Sequence, residues 1–129
     1  MEVSRPAWAL VATVAAVILL AARASGHHSI SAIYDFGTRL PLEGHVVQFE
    51  FVNPHPFLTL EVVAGERPRR WRLEMDNRRE LAELGFADGF LKAGDRVSVV
   101  VNPARARPNA GYVRLLERPA DGFRYRHHD

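Results

Sequence analysis

Apolar and polar residues alternate with a period of two through most of this chain, and that period predicts strands. Over 42–52, LEGHVVQFEFV, it places Val47, Phe49 and Phe51 on one face and Val46, Gln48 and Glu50 on the other. His45 falls on the Phe49 face, where a lone histidine reads as a packed, hydrogen-bonded residue. NPHP at 53–56 interrupts the strand, since neither proline brings an N–H to a ladder. FLTLEVVA at 57–64 then resumes with Leu58, Leu60 and Val62 in phase. GERP turns the chain, and RRWRLEMD sets Trp71, Leu73 and Met75 inward against Arg70, Arg72 and Glu74 outward.

At 77–86, NRRELAELGF, the spacing becomes helical: Asn77 is an N-cap candidate with Glu80 three residues on, Leu81 and Leu84 share a face, and Gly85 is a stop. LKAGDRVSVVVN returns to strand spacing, with Val97, Val99 and Val101 in phase after the Gly94-Asp95 turn. PARARPNAG is a loop, YVRLLERP a last strand, and ADGFRYRHHD, 120–129, an exposed tail. Three strands, a short helix and two strands predict a mainly β fold, a five-stranded OB-like Greek-key barrel over 42–119 with the helix between strands 3 and 4. Closure would also remove the open edges of so apolar a sheet. Residues 27–41, with weak periodicity, Gly37 and Pro41, read as an arm leading into it.

The barrel is preceded by an apolar helical segment of another kind. Residues 7–22 are apolar apart from Thr13, behind a short n-region carrying Arg5 and ahead of Arg23, Ala24, Ser25 and Gly26. That run is short of the roughly 20 residues that span a bilayer untilted, so 1–26 reads as an export signal delivering a periplasmic protein. The alternative is an uncleaved anchor at the inner membrane, with 7–22 as the membrane contact. Two cuts satisfy the small-x-small rule. After Ala24, the new terminus is Ser25-Gly26-His27, whose amine, two amide nitrogens and imidazole form the tetragonal nitrogen set that Cu(II) and Ni(II) prefer. After Gly26, His27 offers its amine and ring nitrogen together as a copper chelate.

Composition narrows the chemistry further. Of 17 Lys+Arg only Lys92 is lysine, and removing 1–26 leaves 15 bases against 14 acids, a charge of +1. Such a chain has no global basic field for nucleic acid. There is no cysteine, which excludes disulfides, thiolate metal sites and thiol nucleophiles. Histidine is therefore the soft ligand. His55, between Pro54 and Pro56, has its backbone held extended and its ring preplaced, which makes it the third copper-ligand candidate beside His27 and His28. Asn53 before it fits an Asx-turn. His127 and His128 sit at a free end, where ordering costs entropy, and read as a tail without a role.

HHS after the apolar run, the pair Tyr34-Asp35, NPH at 53–55 and LKAGDRV at 91–97 together resemble domain-of-unknown-function family 6152, over roughly 27–118. Its members are small exported bacterial proteins, so the resemblance implies an exported compartment and a fold. Arg67, Arg69, Arg70, Arg72, Arg78 and Arg79 form the densest charge cluster, but Glu66, Glu74, Asp76, Glu80 and Glu83 interleave with them in the manner of a solvated face. No nucleophile elbow, HExxH or phosphate loop occurs, so the chain does not read as an enzyme. The expectation is an exported binding or accessory protein with copper as ligand at His27, His28 and His55. The alternative is a metal-free interaction module, tethered or not, whose Asn53, Arg70 and Arg72 meet an exported or membrane protein.

Overall fold

The first strand is the hub of the sheet. In a computed structural model, which describes residues 29–128, β1 (Leu40–Glu50) pairs antiparallel with β2 (Phe57–Ala64) along one edge and with β4 (Arg96–Pro103) along the other. β2 continues to β3 (Arg67–Glu74), and β4 to β5 (Ala110–Arg118). A parallel pairing of β3 with β5, from Arg72 opposite Ala110 to Glu74 opposite Tyr112, closes the circuit. The fold is mainly β: a closed five-stranded barrel with, among the described residues, two short helices, α1 (Ile30–Ile33) and α2 (Arg78–Glu83). The apolar run, both candidate cleavage points, His27 and His28 lie outside the described residues.

Alternation builds the core as the spacing predicts in β2, β3 and β4. Leu58, Leu60, Val62, Leu73, Met75, Val97, Val99 and Val101 are all buried and form one cluster with Val113 and Leu116 of β5. Between β3 and β4, Asn77 caps α2 by accepting the Glu80 N–H at 3.0 Å, Leu81 enters the core, and Gly85 takes the left-handed conformation (φ 92°) that ends the helix. Phe86 follows and meets Phe90, Phe123 and Tyr125 at centroid distances of 4.8, 5.4 and 5.6 Å, an aromatic seal on this end of the barrel.

Two expectations change, and a further irregularity appears in β5. The register of β1 against β2 slips between Val46 and Gln48, a β-bulge at Val47 that inverts the alternation. Val46 therefore points inward and is 2% exposed, Val47 is half-buried, and His45 is exposed instead of packed on the Phe49 face. A second bulge leaves Arg114 without an opposite residue on β4, so Tyr112, Val113 and Arg114 are buried in succession. Finally, residues 123–126 are not an exposed tail: Phe123–Arg126 form β6, antiparallel to β5, with Tyr125 3% exposed. Phe123, Tyr125 and His127 share one strand face, and pairing with β5 supplies the backbone partners that a free tail lacks.

Gly44 permits a close strand approach. A Cβ there would sit well inside contact distance of the Glu61 carbonyl oxygen, so only glycine fits where β1 crosses β2.

Candidate functional site

The NPHP corner between β1 and β2 is docked against the end of β3. The Asn53–Pro54 peptide is cis, the Pro54 carbonyl accepts the Arg78 N–H at 3.0 Å, and the Pro56 carbonyl accepts the Met75 N–H at 3.0 Å. The Arg78 side chain completes the clamp: its Nε donates to the Phe51 carbonyl at 3.1 Å and its guanidinium lies 4.6 Å over the Phe51 ring. Held from both sides, His55 turns Nδ1 toward the Met75 carbonyl at 2.9 Å. A carbonyl only accepts, so in this contact Nδ1 carries a proton, and the neutral form of such a ring has its lone pair on Nε2. The side chain is 27% exposed, and Glu74 Oε1 stands 3.5 Å from Nδ1 on the protein side.

Glu74 links this corner to the arm. Its Oε2 accepts the Tyr34 hydroxyl at 2.6 Å. Burial first, then that hydrogen bond to a carboxylate, pushes the Tyr34 phenol far above its ordinary range. Tyr34 also bridges to Ala104, and Asp35 N–H donates to the Pro103 carbonyl at 2.9 Å, which ties the arm to the β4–β5 loop.

Between α1, the ends of β2 and β3, and that loop lies a cleft of about 730 Å³. Arg72 is fixed at its side. The guanidinium lies 4.1 Å over the Phe57 ring and reaches Glu50 at 2.5 Å. Arg107 and Asn109, from the β4–β5 loop, also line the cleft, and the Asn109 carbonyl accepts the Arg72 backbone N–H at 2.9 Å. The other sequence candidates stand apart: Asn53 is exposed at the corner, and Arg70 is exposed opposite Glu61 on β2. Among the described residues, no group of three or more His, Asp or Glu is arranged to hold a metal ion, so His55 is a single imidazole here.

Sequence reasoning missed a buried polar cluster. Asp76, 9% exposed, accepts the Tyr112 hydroxyl on Oδ1 and the Tyr125 hydroxyl on Oδ2, and His127 Nδ1 lies 2.6 Å from Oδ1. Burial and the shared carboxylate push both phenols far upward. The signal was the alternation Phe123, Tyr125, His127 in FRYRHH, masked by the arginines between them.

No curated protein matches the chain. The profile of a family of unknown function, DUF6152, matches residues 14–113, from within the apolar run to β5 and across the corner that carries His55. With most of its length matched, the chain belongs to the family of unknown function DUF6152.

Proposed function

We propose that this chain is an exported, periplasmic accessory protein on an OB-like Greek-key barrel, and that it binds copper through His55 Nε2 with His27 and His28 of the processed N-terminus as the further ligands. The observation that carries this reading is the hydrogen bond of His55 Nδ1 to the Met75 carbonyl. A ligating histidine characteristically donates its other ring N–H to a carbonyl or carboxylate, which fixes the tautomer, orients the ring and raises the basicity of the free nitrogen. His55 has that donor arrangement, with Glu74 beside it. Neutral imidazoles suit copper, and the absence of cysteine from the sequence leaves nitrogen and oxygen as the strong donors.

Two further features favour the reading. The circuit β1-β2-β3-β5-β4-β1, with a helix between β3 and β4, supports the OB-like reading, and the working surface of an OB barrel includes the loop between strands 1 and 2. That loop is the NPHP corner. The apolar run over 7–22 and the small residues after it have the form of an export signal.

The experiment is a Cu(II) titration of the processed protein, after intact mass has fixed its first residue. Wild type should bind at least tenfold more tightly than a His27→Ala, His55→Ala double variant, and equal affinity rejects the copper reading. A chain retaining 1–26 has its α-amine elsewhere and is not a substitute.

A further inference from the structure

The cleft beside Arg72 has a chemistry that copper does not use. We propose that it binds a small carboxylate with an apolar tail, its head between Arg72 and Arg107 and its tail on the arm side of the opening.

Charge placement carries the argument. The Glu74 carboxylate also lines the cleft but is mostly covered: its side chain is 17% exposed, Oε2 is taken by Tyr34, and Oε1 stands 3.5 Å from Nδ1 of His55. The Arg72 side chain is 52% exposed and needs only one terminal nitrogen for Glu50, so the rest of its donor fork is open to a ligand. Arg107, which is exposed, makes no ion pair or hydrogen bond among the described residues, although it is near enough to lower the Tyr34 phenol against the stronger effects that raise it. A planar fork of N–H donors is the group that recognises carboxylates, in two-point fashion. A ligand head at the mouth of this cleft thus meets two guanidiniums, while the Glu74 carboxylate is hydrogen-bonded to Tyr34.

The remaining wall is apolar and already ordered. Ile33, 46% exposed, stands with Ala104, Ala106 and Pro108. The loop carrying them is fastened at both ends: Ala104 N–H donates to the Ala110 carbonyl and Arg105 N–H to the Ile33 carbonyl, each at 2.9 Å, while the Arg105 side chain reaches Asp35 at 3.5 Å. A preformed cleft of this size with convergent polar groups on one side is the usual form of a small-molecule site.

Octanoate is the probe, titrated into processed protein stripped of metal on a chelating resin, in carboxylate-free buffer, with amide shifts read by NMR. Saturable shifts at Ile33, Ala106, Arg107 and Asn109 are expected, together with at least tenfold weaker binding of octanol and octylamine. Arg107→Ala, a change at an exposed loop position, should weaken octanoate about tenfold at unchanged Tm, and Arg72→Met should do the same. The proposal is overturned if octanoate shifts none of these amides, if octylamine or octanol binds as well, or if both variants bind normally. No metal is present in this test, so its outcome is independent of the copper reading.

Discussion

The Tyr125 hydroxyl donates to Oδ2 of Asp76, 49 positions earlier in the chain. This contact fastens β6 to the end of β3, and with the Tyr112 hydroxyl and His127 it makes the buried carboxylate an anchor for the C-terminal segment. Removing one donor leaves a buried acceptor underused, so Tyr125→Phe should cost about 1–2 kcal/mol in urea denaturation. Asp76→Ala strands two buried hydroxyls at once and should cost about 3 kcal/mol or more. A loss below about 0.5 kcal/mol for Asp76→Ala would show that the anchor contributes nothing.

Alkaline stability follows from the same groups. All three tyrosines of the chain, Tyr34, Tyr112 and Tyr125, are buried and hydrogen-bonded to a carboxylate, and each phenol is raised by burial first. Above a pH of about 10, unfolded tyrosines lose protons that the folded ones keep. The folded state then binds more protons than the unfolded one, so the stabilisation present below about pH 10 is lost as pH rises, by at most about 1.4 kcal/mol per pH unit per tyrosine. Phenolate absorbance at 295 nm should therefore appear only together with loss of β-sheet circular dichroism. A phenolate that forms while the sheet is intact contradicts this.

Arg118 joins three segments in one place. Its guanidinium donates to the Phe90 carbonyl at 2.6 Å, to Asp95 at 3.2 Å and to Asp121 at 2.8 Å, and it lies 4.8 Å over the Phe90 ring. Its side chain is 14% exposed, so these charge-assisted bonds are partly screened from water. Arg118→Ala should cost about 2–3 kcal/mol, and Arg118→Lys, which lacks the fork, most of that loss. Thermal unfolding of the two variants measures both.

Gly44→Ala tests the close crossing of β1 and β2. The added methyl meets the Glu61 backbone, which belongs to a paired strand and has little freedom to give way. A loss of about 2–4 kcal/mol in urea denaturation is expected, against under about 1 kcal/mol for Gly37→Ala, where the nearest atom is a side-chain oxygen at 3.4 Å.

The strands, the helix cap and the NPHP corner were legible because they rest on local patterns: Trp71, Leu73 and Met75 alternate, and Asn77 stands three residues before Glu80. The bulge at Val47 was not, since it is a property of two strands in register and one strand's sequence reads the same with or without it. β6 was hidden for a related reason. Arg124 and Arg126 make 123–128 look like a solvated basic tail, and only Asp76 and β5, both distant in sequence, give Tyr125 and His127 a buried face. His55 was visible as a proline-flanked imidazole, but its tautomer depends on the docking of the corner against Met75, which spacing does not encode.

The central claim is that His55 presents a metal-competent Nε2, and imidazole signals test it most directly. In long-range ¹H–¹⁵N spectra of the processed protein near pH 7.5, His55 should be the Nδ1–H tautomer. Substoichiometric Cu(II) should broaden its ring signals together with those of His27 or His28, before those of exposed His45 and His128. If His55 is the Nε2–H tautomer, or if its signals outlast those of His45 as copper is added, the copper account is contradicted.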